Sequence, residues 1–84
     1  MENDELVRKG RKASQLLEDE TFNMAINKME NDQLWYFRST KPEESAKREI
    51  AWSMLKAIDN LKIELQKIVD NAKVAQRAIE RASK

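Results

Sequence analysis

The side chains of this chain that could do chemistry are carboxylates, lysines and arginines, because it contains no cysteine and no histidine. Disulfides, thiolate zinc sites, histidine general bases and Cys or Ser–His nucleophile pairs are thereby removed. The di-iron sites of helical bundles need Glu-x-x-His and go with them. A lone glycine cannot build a Gly-rich phosphate loop. The remaining carboxylates, among them Glu43, Glu44, Glu49, Asp59 and Glu64, are spaced as exposed helix faces rather than as a converging acid–base pair. The chain is therefore expected to be non-catalytic and to carry no cofactor or metal.

Two groupings could bind rather than react. The run "VRKGRKASQ", Val7 to Gln15, holds Arg8, Lys9, Arg11 and Lys12 with no acid, and Lys73, Arg77, Arg81 and Lys84 lie near the other end of the sequence. Arg8, Lys9, Arg11, Lys12, Arg77 and Arg81 are the candidate anion or nucleic-acid contacts. Solvated helix ends are the preferred explanation, with basic residues near a C-terminus favoured by the helix dipole. A formal net charge of +1 also argues against a dedicated nucleic-acid binder, so that partner is possible but not favoured.

The second grouping is "LWYF", Leu34 to Phe37. Consecutive helical residues stand about 100° apart, so no single face buries all four. Together with Trp52 and Leu55, Leu34, Trp35 and Tyr36 form the candidate protein interface. Three uses compete: core of an oligomer, docking patch for a different protein, and base stacking on a single strand. Stacking platforms come with a basic groove. Asp32, Glu43, Glu44 and Glu49 alternate here with Arg38, Lys47 and Arg48, so stacking is disfavoured.

The elements that must position these groups are helices. One Gly and one Pro in 84 residues leave few breakers. "RSTKPEE" marks the one sharp turn: Thr40 and Glu43 fit a capping box, and Pro42 suits a first helical turn. Pro42 also disfavours helical conformation at Lys41, which ends the preceding helix near Ser39. Beyond the turn, Ala51, Met54, Ile58, Leu61, Leu65, Ile68, Ala72, Ala75, Ile79 and Ala82 alternate spacings of three and four, the a/d seam of a helix from about Lys41 to Arg81. Before it, Leu6, Gly10, Ala13 and Leu17 keep that spacing. Asp19 is a good N-cap, so the first arm is kinked or split near Glu18–Glu20, either one bent helix or, preferred, two helices of about Asp4–Glu18 and Glu20–Ser39. Folding at the turn sets Gly10 near Ala72, Leu6 near Ala75, Leu17 near Leu65, Phe22 near Ile58 and Met29 near Trp52. The expectation is a single all-α domain over residues 1–84, a long antiparallel helical hairpin that oligomerises into a helical bundle.

No apolar run approaches the roughly 20 residues that span a bilayer, and "MENDELVRKG" reads as neither signal nor transit peptide, so no membrane partner is expected. The run Ala13 to Leu65 carries L-L-x-D-x-x-F at Leu16 to Phe22, Trp35 before the Ser39 turn, and R-E-x-x-W at Arg48 to Trp52. In these features it resembles a group of short helical proteins of tailed bacteriophages and prophages. The resemblance implies a phage-encoded, non-catalytic protein associated with virion or assembly components. A host cytoplasmic or virion location and a phage or host protein partner follow from it, besides further copies of the chain. It assigns no functional residue.

Overall fold

A computed structural model describes residues 2–83 as three helices and, among those residues, no strand. α1 is Glu2–Glu18, α2 is Glu20–Ser39 and α3 is Ser45–Ala82. The molecule measures 64 × 23 × 15 Å. The 38 residues of α3, at about 1.5 Å each, run for most of that length. Both α1 and α2 pack on α3, which is the spine. No helix is long and apolar enough to cross a membrane.

The interruption between α1 and α2 needs neither glycine nor proline. Asp19 takes extended dihedrals (φ −70°, ψ 125°), and its carboxylate accepts the Phe22 N–H at 2.7 Å. On the other side, the Asn23 amide donates to the Leu17 carbonyl at 2.9 Å, closing one of the last acceptors of α1. The break falls between Glu18 and Glu20, where an N-cap carboxylate and an acidic first turn favour a new start.

The sharp turn lies where the sequence puts it, but its caps differ. Thr40 ends α2 rather than starting α3: its hydroxyl donates to the Phe37 carbonyl at 2.7 Å, and its N–H reaches the same oxygen at 3.3 Å. Engaged there, it cannot cap the next helix. Pro42 stands outside α3, in a turn closed by the Glu44 N–H on the Lys41 carbonyl at 2.9 Å. The half of a capping box in which an acid reaches back does form, one residue later. Glu44 Oε1 accepts the Lys41 N–H at 2.8 Å, and α3 begins at Ser45 instead of Lys41.

Small residues bring the arms together. A methyl group built on Gly10 would sit 2.0 Å from the Ala72 Cβ and 3.3 Å from the Ile68 carbonyl oxygen. Gly10 itself is buried, as are Ala13, Ala51 and Ala75. Leu6 and Ala75 line one hollow, Leu16 and Leu65 line a groove, and Leu17, one heptad after Gly10, is half-buried. Further along, Glu30 reaches Lys62 at 3.0 Å, and Trp52 stands beside Phe37 rather than Met29. A constant pairing register assumes an unbroken first arm, and Asp19 breaks it.

The a/d seam on α3 is only half an inner row. Ala51, Ile58 and Ala75 are buried and Leu65, Ala72 and Ile79 half-buried, whereas Met54, Leu61, Ile68 and Ala82 are exposed. Leu55, Lys62 and Val69 are the half-buried neighbours instead. A helix touched by one partner at a time buries one row and the flank that partner leans on. The other flank stays in water.

Gly in a helix interior is about 1 kcal/mol worse than Ala, so propensity alone would make Gly10→Ala stabilising. The overlap with Ala72, whose Cβ is fixed to backbone, should reverse the sign. Gly10→Ala is expected to lose about 1–3 kcal/mol, a fall of several degrees in Tm for a chain of this size. Combining it with Ala72→Gly moves the gap across the contact and should restore most of the loss. A higher Tm for Gly10→Ala alone would mean the helices do not meet there.

Candidate protein interface

The turn end is held by side chains that fold back onto the backbone. The Arg48 guanidinium donates to the Lys41 carbonyl and, at 2.9 Å, to the Pro42 carbonyl. Glu44 bonds the Lys41 N–H and pairs with the Lys47 ammonium. The hydrogen bond from Lys47, then that from the Lys41 N–H, holds the Glu44 carboxyl below the usual glutamate range. Glu44 in turn raises Lys47, with a smaller push from Tyr36. The residues that carry this clamp were legible in part, since Glu44 and Lys47 are an i,i+3 pair. Arg48 was not, because its bonds go to backbone carbonyls six and seven residues away.

The five aromatic and aliphatic interface candidates do not share one face. Trp35 lies about 180° from the buried Ile26 around α2, so it points away from α3, 69% exposed. Leu34 and Tyr36 stand on opposite flanks of the same helix, both exposed. Leu55 is half-buried on the inner side of α3. Trp52, 59% exposed, lines an open groove of about 320 Å³ with Phe37, Ser45, Arg48 and Glu49. Each tryptophan has a cation of its own helix over its ring: Arg38 at 6.0 Å from Trp35 and Lys56 at 5.7 Å from Trp52. Such contacts at exposed sites are worth about 0.5–1 kcal/mol and shield part of the ring from water.

The basic candidates are spread rather than gathered. Arg8, Lys9, Arg11 and Lys12 fan around α1, and Glu5 pairs with Arg8 at 3.4 Å and Lys9 at 4.0 Å. At the end of α3, where Arg77 and Arg81 lie, Glu2 and Asp4 share a hollow with Ile79 and Ala82. Lys84 lies outside the described residues. The open end therefore carries mixed charge, with the acidic first turn of α1 set against the basic last turn of α3.

The most apolar depression lies elsewhere. An open groove of about 370 Å³ runs between α1 and α3, floored by Ala13, Leu16, Leu65 and Ile68 and rimmed by Lys9 and Lys12. Leu16 and Ile68 are exposed there, as are Met54 and Leu61, two heptads and one heptad before Ile68. The sequence carried a signal of this: Leu55 and Val69 make a third apolar row beside the a/d pair, more than one partner helix can cover. Among the described residues no buried side-chain donor or acceptor lacks a partner and no charged side chain is buried. No family model, curated protein or solved structure matches the chain.

The clamp makes the turn pH-dependent in a defined direction. A glutamate depressed by folding contributes stability above its unfolded pKa, and loses it as pH falls through the folded value. Lys47, raised by folding, contributes below the ordinary lysine value and loses its share as pH rises through the raised one. Side-chain NMR titration should find Glu44 titrating below the ordinary glutamate value. Lys47→Ala should return it toward that value. A Glu44 midpoint at the ordinary value in the native chain would show that the clamp is not populated.

Proposed function

We propose that the chain is a non-catalytic structural protein, an antiparallel helical hairpin that works by associating with protein surfaces, first with further copies of itself. The observation that carries this reading is area. The chain exposes 6775 Å² at 9.9 kDa, whereas a compact monomer of that mass exposes roughly 5,200 Å². The excess, roughly 1,600 Å², is about twice what each partner contributes to a standard interface. Fourteen large apolar side chains stand exposed, against five buried hydrophobic residues, three of them alanine. A layer one helix pair thick cannot cover them, and a helical bundle can.

The resemblance to short phage-encoded helical proteins supports a place among virion or assembly components, in the host cytoplasm or the particle. A nucleic-acid role through the basic end has less behind it, because Glu2, Asp4 and Glu5 interrupt the positive charge there.

Sedimentation equilibrium over a wide concentration range tests the reading. The expected mass is at least twice 9.9 kDa at micromolar concentration. Duplex or single-stranded nucleic acid should leave that mass unchanged at physiological salt. A monomer at every concentration would remove self-association from the proposal, and salt-dependent binding to nucleic acid would favour the basic end.

A further inference from the structure

Resting on the self-association just proposed, the geometry points to a specific interface. We infer that two copies pack flank to flank, with their α3 helices antiparallel and Leu61 on the two-fold axis.

The flank is fixed by the groove that Leu16 and Ile68 line together. Met54 and Leu61 precede Ile68 by fourteen and seven residues, so they lie on the same side of α3. In two antiparallel right-handed helices, a step of three residues past the inner row turns toward the same side of the pair. Ile68 stands three past Leu65, and Met29 stands three past the buried Ile26. Met29 therefore joins the flank from α2. Leu16, Met29, Met54, Leu61 and Ile68 are all exposed and run along much of the molecule. Trp35 and Trp52 are more exposed, but they stand apart at the turn end, each with a cation of its own helix over its ring, whereas these five form one continuous row.

Three observations choose a second copy as the occupant. The area in excess of a compact monomer is about twice what a standard dimer needs from each partner. The stripe on α3 is evenly spaced, so turning it end for end about Leu61 sets Met54 against Ile68 of the other copy and the reverse. That is the self-complementarity an isologous contact requires. Finally, a net charge of +1 gives two copies almost nothing to repel with. Ala57, between Met54 and Leu61 on the flank, is small enough to let the two α3 backbones approach.

The chain has no cysteine, so single cysteines report the geometry directly. A residue on the two-fold axis neighbours its own copy. Leu61→Cys should therefore yield a covalent dimer with a short bismaleimide at concentrations where the unmodified chain sediments as a dimer. Met54→Cys and Ile68→Cys alone should cross-link poorly, and an equimolar mixture of the two should give the mixed dimer. Leu61→Lys, at an exposed position, should keep its helix content by circular dichroism and weaken dimerisation at least about tenfold. If the native chain dimerises while Leu61→Cys does not cross-link and Trp35→Cys does, the interface is the aromatic end and this inference is overturned. If the native chain never dimerises, the underlying reading of self-association fails with it.

Discussion

Two packed helices touch along one row of residues each, and what that row holds decides the character of this molecule. Here it is filled at its tightest point with Gly10, Ala13, Ala72 and Ala75. Small residues let the backbones approach, and close approach gains dispersion contacts along both helices. It also leaves little room for large side chains between them. Among the described residues only Ile26 and Ile58 are large and buried, and burying each is worth about 1.5–3 kcal/mol. The remaining leucines, isoleucines and methionines are displaced to the flanks by the same geometry that makes the contact. Close packing within the chain and exposed apolar surface on it have one cause.

Local structure was legible because it depends on near neighbours. The division near Asp19 and the end of α2 near Ser39 could be read to within a residue or two, since a capping carboxylate and a proline act within one turn of themselves. The turn was legible in place but not in detail. Thr40 can serve either helix, and which one it serves depends on whether the Phe37 carbonyl is free, something no spacing rule encodes. Gly10 opposite Ala72 could be read because two small residues at matching distances from a turn leave few other arrangements. The inner row of α3 could not. Heptad spacing says that Ala51, Met54, Ile58 and Leu61 lie within one arc of the helix, but the partner decides which edge of the arc is covered. That decision rests with α1 and α2, and with the Lys62–Glu30 pair that draws the Lys62 edge inward.

The same distinction bears on the aromatic cluster. Four apolar residues in a row announce that something must lie outside the core, and Trp35 does. They do not announce where its cover comes from. Arg38, one turn on, supplies part of it within the helix, and Lys56 does the same for Trp52. A long cation lying on a ring removes apolar area from water while keeping its own charge solvated. Exposure alone is then a poor guide to an interface, and exposure without local cover is a better one.

Applied to the whole molecule, that criterion separates its two ends from its side. At the turn, the backbone carbonyls of Lys41 and Pro42 are met by Arg48 and the exposed rings are met by cations. At the open end, opposite charges of α1 and α3 face one another across the terminal turns. Both ends are surfaces that can stay wet. The flank carrying Leu16, Met29, Met54, Leu61 and Ile68 has Lys9, Lys12 and Asn71 at the rim of its groove. Lysine stems lie well against an apolar neighbour, and their ammonium groups stay at the edge when a second surface closes over it. A flank built in this way stays soluble as a monomer and loses no buried charge on association. Covering its apolar centre leaves the Lys9–Glu5 and Glu64–Lys67 pairs at its edge.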